Sequence, residues 1–201
     1  MGEYIGLLFF LIITILLTAL TVWIFLSRNY LGAAGKNARR DTARTLRSFA
    51  LLRRFRVLSG IKLSGAPGIE NLLVGHFGVL LIKTMGRRGE YYGTMDGESW
   101  QVVLGGNKTV VPNPFRDLEK QEAALRAVFA QNNIYRVPVE RLVVLSNRSP
   151  KTLLYITNAG EILMPGKLGA HLGKTKYEKD AGVDVEKVAA ALQAAAQAES
   201  E

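Results

Sequence analysis

Cysteine is absent from this 201-residue chain, which excludes a disulfide framework, a thiolate metal site and a cysteine nucleophile. The compartment stays undecided on that ground. Histidine is nearly absent too: His76 and His171 are far apart, and neither has a second candidate ligand at helical or hairpin spacing. Each reads as a hairpin or loop histidine before it reads as a metal ligand. There is no Walker loop, dinucleotide glycine fingerprint, HExxH or nucleophile elbow. Gly105-Gly106-Asn107 imitates a phosphate loop only superficially, because no Lys-Ser/Thr follows, and a tight turn between strands is the better reading. Acidic charge is scarce: 17 Asp plus Glu stand against 26 Lys plus Arg, for a net charge of +9 and a pI near 9.9. With 48% hydrophobic and 21% charged residues, full disorder is excluded, since that state needs low hydrophobicity together with high charge.

Charge is missing altogether from residues 5–26, where most positions are Leu, Ile, Phe, Val, Thr or Ala. About 20 such residues at 1.5 Å rise cross a hydrocarbon core of about 30 Å, with every backbone group bonded inside the helix. Tyr4 and Trp23 fall near the ends, where amphipathic rings favour the headgroup region. A cleaved signal peptide would need a basic start, a shorter apolar core and a small-residue cleavage site. Here the start offers only Glu3, and Arg28-Asn29 follow the span. Residues 1–28 therefore read as a retained transmembrane anchor, with the lipid bilayer as partner of residues 5–26.

The flanking charges set the orientation. No Lys or Arg precedes the span; after it come Arg28, Lys36, Arg39, Arg40, Arg44, Arg47, Arg53, Arg54 and Arg56, opposed only by Asp41. Basic flanks stay on the cytoplasmic side, so the expectation is a single-pass cell-membrane protein with its N-terminus outside and the rest in the cytoplasm. The same run suits the anionic lipid of the inner leaflet, nucleic acid phosphates, or a topology signal on a solvated helix face.

The remainder reads as one alternating α/β domain over residues 41–201, joined to the anchor by a basic juxtamembrane linker at 29–40 whose Gly/Ala part is 31–35. Apolar residues Ala43, Leu46, Phe49, Ala50 and Leu51 predict a helix from Asp41, which sits at its cap or in its first turn. Extended segments follow at 55–58 and 61–63, then a turn at 64–68. Strands at 69–74 and 79–85 flank Gly75-His76-Phe77-Gly78 as a hairpin. More extended pieces include Tyr91, Tyr92, Trp100 to Val103 and Thr109 to Val111. Asn113-Pro114 should open a helix to about Gln131, Asn as cap and Pro in the first turn. The continuous run Arg141 to Leu145 has the pattern of a strand buried on both faces. Short strands at 153–156 and 162–163 and an Ala-rich helix over 184–196 complete the series. That helix either packs on the sheet or mediates self-association. Such a domain is long enough to bury a core without staples.

The order of these elements resembles one family. Ile69-Glu70-Asn71-Leu72-Leu73-Val74, then Gly78-Val79-Leu80-Leu81-Ile82-Lys83-Thr84-Met85, then Gly89, Tyr92-Gly93, Trp100 and Asn113-Pro114-Phe115 is similar to the nuclease-related domain (NERD) family. The resemblance covers about Asp41 to Leu145, and Asp184 to Leu192 resembles the family's late helix. It implies an α/β fold of the restriction-endonuclease-like kind, here an N-terminal transmembrane helix followed by a mixed sheet flanked by helices. It also implies a PD-(D/E)xK site. There, acids on neighbouring strands hold Mg²⁺ through oxygen, the metal generates hydroxide and polarises a phosphoryl oxygen, and a lysine two residues after the second acid shares its strand face.

Residue by residue, that pattern is broken. Asp41 falls where the helix acid belongs, with shorter reach. Glu70 falls at the strand Asp, its carboxylate one methylene further out. Lys83 stands where the second metal-binding acid belongs and reverses its sign; Met85 stands where the catalytic lysine belongs. Asp41, Glu70 and Lys83 are thus positions of a degenerate catalytic site, with Glu70 and Lys83 the natural pair across neighbouring strands. No metal site is assigned, and no cofactor is expected unless the site is active, when it would be Mg²⁺. Glu90 is the candidate for a relocated acid. Arg87 and Arg88 read as a solvated hairpin tip or, alternatively, as a phosphate contact; Tyr91, Tyr92 and Trp100 read as strand aromatics or base-stacking residues. Three functions compete: a non-hydrolysing nucleic-acid-binding or scaffold module, a nuclease with a relocated acid, and a membrane interaction protein without nucleic-acid contact. The first leads.

Overall fold

The computed structural model describes residues 2–51, 53–146, 152–157, 161–164 and 166–199, with side chains of the first helix described at 12–21 and 35–51. That helix, α1, runs without interruption from Gly2 to Leu51. The Gly/Ala break expected at 31–35 and the helix start expected at Asp41 are therefore corrected. Gly32 and Gly35 each cost a helix only about 1 kcal/mol relative to alanine, and the helix-forming residues on either side carry it through. Of the apolar span at 5–26, only the side chains at 12–21 are among the described residues. Among the described residues, no helix is long and apolar enough to cross a membrane.

After α1 come β1 (Arg56–Ile61), β2 (Ile69–Gly75) and β3 (Gly78–Met85), an antiparallel meander. Gly75 pairs with Gly78, so His76 and Phe77 form the turn of the expected hairpin. The chain then leaves this sheet for β4 (Glu90–Thr94), β5 (Ser99–Leu104) and β6 (Asn107–Pro112). Gly105 and Gly106, with φ of +56° and +82°, make the tight β5–β6 turn; positive φ at both central residues is what such a hairpin needs. Helix α2 (Pro114–Gln131) leads back to β7 (Val139–Leu145), which pairs parallel with β3. Then follow β8 (Leu153–Thr157), β9 (Ile162–Leu163), α3 (Leu168–Leu172), a 3-10 turn at Thr175–Tyr177 and α4 (Val185–Ala198).

Two mixed sheets result, a five-stranded one ordered β1-β2-β3-β7-β9 and a four-stranded one ordered β6-β5-β4-β8. Period-two alternation divides β3 and β7 between two cores. Leu80, Ile82, Leu142 and Val144 pack with Leu46 of α1 and with Leu168 and Leu172 of α3. Val79, Leu81, Val143 and Leu145 pack with α2 and α4 and with Tyr91, Trp100 and Val102 of the second sheet. β7 is accordingly buried on both faces, as its unbroken apolar run requires. Helix α4 settles on β1, β2 and α2 through Val185, Val188, Ala189 and Leu192, capped by Asp184, which accepts from the backbone N–H of Lys187 at 3.0 Å.

A candidate site at the end of strand three

Register creates the site. Asn71 pairs with Ile82, so one step further along the antiparallel ladder Glu70 stands opposite Lys83. Their side chains meet on the α2 face, with Lys83 Nζ 3.5 Å from Glu70 Oε1. Glu70 Oε2 also accepts from the backbone N–H of Thr84 at 3.0 Å. That bond ties the carboxylate to the strand end. Its side chain is only 8% exposed, so its charge needs partners.

Two further residues complete the set. Arg39, on α1, places Nη2 3.0 Å from Glu70 Oε1. Asp117, in the first turn of α2, accepts from Lys83 Nζ at 3.0 Å. A carboxylate suits that turn because the unpaired N–H groups there carry partial positive charge. The turn is fixed by Asn113, which is buried. Asn113 Oδ1 accepts from the Phe115 N–H at 3.0 Å, and Nδ2 donates to the carbonyls of Met95 at 2.7 Å and Gly97 at 2.6 Å. Arg39, Glu70, Lys83 and Asp117 thus form one chain of alternating charge.

These four residues line a cavity of about 470 Å³, together with Gly35, Met85, Arg87 and Arg88 and the apolar Leu104, Val111, Pro112 and Pro114. Lys83 and Met85 share a strand face, as the spacing required. Arg87 and Arg88 lie here too, although not at a hairpin tip: β3 and β4 belong to different sheets, and the loop carrying the pair is the passage between them. The Tyr91 hydroxyl donates to the Arg87 carbonyl at 2.5 Å, holding that loop; burial pushes this phenol up to about 12, with the Arg87 charge opposing.

Other expected residues fall elsewhere. Asp41 does not line the cavity; two residues beyond Arg39, it is turned about 200° around the helix axis. Glu90 lies on the outer face of the second sheet, accepting from the Tyr92 hydroxyl at 2.6 Å, and does not line the cavity either. Tyr91 and Trp100 are fully buried and meet edge to face. Tyr92 is exposed and stacks on Tyr155 at 4.8 Å between ring centroids. His76 is exposed. His171 is buried, with Nε2 2.8 Å from the Tyr177 hydroxyl. The sequence reading missed Asp117 and the ion pair of Arg39 with Glu70. A signal for each was present: Arg39 lies one helical turn after Gly35, and Asp117 follows the Asn113-Pro114 cap by one turn.

This donor set does not fit a divalent metal. Mg²⁺ demands near-octahedral oxygen ligation, and here an ammonium already stands within 3.5 Å of both carboxylates. Among the described residues, no group of three His, Asp or Glu side chains is placed to hold a metal ion.

A mixed α/β domain of two sheets flanked by helices, with a cleft of two carboxylates and four cations where a strand end meets a helix N-terminus, defines a class of fold and site. The family whose model matches residues 34–146, more than half of the chain, is the nuclease-related domain, and the chain belongs to that family. The match opens in α1 before Asp41, in agreement with the burial of Ala38 and the placement of Gly35 and Arg39 at the cavity. No curated protein and no solved structure matches.

Proposed function

We propose that this chain is a membrane-anchored, cytosol-facing nuclease-related module that engages nucleic acid without hydrolysing it. The observation that carries the reading is the position of Lys83 Nζ, 3.5 Å from Glu70 and 3.0 Å from Asp117. The protein supplies from its own Lys83 side chain the cation that a hydrolytic site of this family would take from solution. A fixed positive charge also raises the electrostatic cost of admitting a metal ion. Phosphate contact needs no hydrolytic residues, and the cavity keeps four cations, Arg39, Lys83, Arg87 and Arg88, against the two carboxylates. The restriction-endonuclease-like assignment is supported by the antiparallel β1-β2-β3 meander continued by parallel β7, with helices on both faces.

For the anchor, support comes from Ile12, Ile13, Ile15, Leu16, Leu17 and Leu20, all exposed on α1. The Thr18 hydroxyl donates to the carbonyls of Thr14 at 3.0 Å and Ile15 at 2.9 Å, and that of Thr21 to Thr18 at 2.9 Å. Returning hydroxyls to the helix backbone is how threonine is accommodated in lipid. The basic residues that follow favour the cytoplasmic side.

The test is an incubation of the full chain, in detergent, with supercoiled plasmid and either Mg²⁺ or Mn²⁺, alongside a gel shift of the same DNA. A shift without nicking is expected. Metal-dependent nicking lost in Glu70→Gln would replace this reading with the relocated-acid nuclease. Neither shift nor nicking would favour the interaction protein without nucleic-acid contact.

A further inference from the structure

Over residues 35–51, α1 buries one face and leaves a charged one open. Ala38, Thr42, Leu46 and Ala50 are buried against the five-stranded sheet and α3. On the other side Lys36, Arg40, Arg44 and Arg47 are all exposed. At about 100° per residue these four fall within about 80° of one another, so they form one stripe along the helix. Among the described residues none of the four has an ion-pair partner, in contrast to Arg39, Arg53 and Arg56, which pair with Glu70, Glu178 and Glu186. Asp41 is the one acid on residues 35–51, and it lies off the stripe. An uncompensated row of four cations is an unusual use of a folded helix, where acids at i+3 or i+4 would stabilise it.

The stripe starts within one helical turn of the candidate site: Lys36 and Arg39, which lines the cavity, are i, i+3 neighbours on the helix. From Lys36 to Arg47 the row extends about 16 Å at 1.5 Å per residue. We infer that this stripe is a sequence-independent contact for the phosphodiester backbone of a nucleic acid, leading to or from the cavity. The inference rests on the nucleic-acid reading proposed above and assigns it a surface.

Geometry favours this occupant over anionic lipid. The helix is unbroken from the apolar segment through Leu51, so with the span ending at Leu26, Lys36 lies about 15 Å and Arg47 about 31 Å further along the axis. Charge attraction to a bilayer fades over a Debye length of about 8 Å at physiological salt. A row parallel to a spanning helix points away from the membrane plane. A linear polyanion can lie along its whole length, whereas a headgroup layer reaches only its first residue.

The experiment uses the full chain in zwitterionic nanodiscs, as wild type and as the triple variant Arg40→Gln, Arg44→Gln, Arg47→Gln. Glutamine is a good helix former and the sites are exposed, so the fold should persist, which an unchanged far-UV spectrum and melting profile would confirm. Affinity for a short labelled DNA duplex is measured by anisotropy between about 50 and 200 mM salt. Removing three phosphate contacts should reduce the slope of log K against log salt by about 2.7. An unchanged slope, with the wild type binding, would overturn the stripe while leaving the nucleic-acid reading intact. A wild type that does not bind at all would overturn both. In anionic nanodiscs, a dye on Ser48→Cys, the sole thiol in a chain without cysteine, should escape quenching by headgroup-labelled lipid. Strong quenching would assign the stripe to the bilayer surface instead.

Discussion

Lys83 and Glu70 face each other across the antiparallel β2–β3 pair, their charged atoms 3.5 Å apart. The carboxylate is 8% exposed and the lysine 20%, so neither charge is fully screened by water. Replacing Lys83 by Met leaves Glu70 with Arg39 and the Thr84 N–H. This should cost about 1–3 kcal/mol in denaturant unfolding, because a nearly buried carboxylate loses a charged partner. Removing the carboxylate charge as well, as in Lys83→Met with Glu70→Gln, should cost less than the sum of the single changes, with a coupling of about 1 kcal/mol. Strict additivity would mean that the two groups do not interact.

The Asn113 side chain should matter more than its place in a loop suggests. It caps α2 and bonds the carbonyls of Met95 and Gly97, so it aligns the helix turn that carries Asp117. Asn113→Ala should destabilise by about 2–4 kcal/mol, since it strands buried groups as well as removing a cap. Asn113→Asp keeps the acceptor for Phe115 and loses the two donors, and should fall between wild type and Ala. Equal losses for both variants would show that the cap bond contributes little.

Gly78 opens β3 with a φ of +125°, and a Cβ placed there would lie 2.3 Å from the Pro138 carbonyl oxygen. Gly78→Ala should therefore cost about 3 kcal/mol or more, through backbone strain and displacement of the β3–β7 pairing. Gly105→Ala, where no atom lies within 4 Å of the added carbon, should cost less, retaining only the positive-φ penalty. A reversed ranking in thermal unfolding would contradict the close approach of β3 to Pro138.

His171 gives the domain a pH dependence. Burial holds its pKa below the usual 6.5, helped by Lys174 and Lys176 and opposed by Glu140. The folded state therefore favours the neutral ring, while the unfolded chain takes up a proton below about 6.5. This contribution is present in full above that value and is lost as pH falls through it towards the lower folded pKa. The melting temperature should drop between about pH 7.5 and 5.5, and His171→Gln should flatten that dependence. An identical pH slope in the variant would show that other groups cause it.

Local pattern made most of the elements legible. Apolar periodicity located α2, α4 and the β2–β3 hairpin, and the unbroken Leu142 to Leu145 run announced a strand with a core on each side. What pattern does not carry is which strands share a sheet. β3 and β4 are separated by four residues yet lie in different sheets, so Arg87-Arg88 read as a hairpin tip when they are the passage between layers. The start of the first helix was missed for a related reason: Gly32 and Gly35 punctuate a sequence without being strong enough to stop a helix. At the site, Glu70 and Lys83 were within reach of the sequence because an antiparallel register is a sum of residue numbers. Asp117 and Arg39 were marked only by their spacing from the Asn113-Pro114 cap and from Gly35, because they arrive from helices whose rotation is set by packing. Asp41 shows the converse, a residue correct in type and turned away by two positions of helical twist.

Calorimetric titration of Mn²⁺ into the full chain in detergent micelles tests most directly whether Lys83 has taken the place of a metal. No saturable heat is expected from wild type, in a preparation shown to be folded by its near-UV spectrum. Saturable binding by wild type that disappears in Glu70→Gln would contradict the account, because the carboxylates at the end of β3 would then prefer a metal ion to the lysine that stands between them.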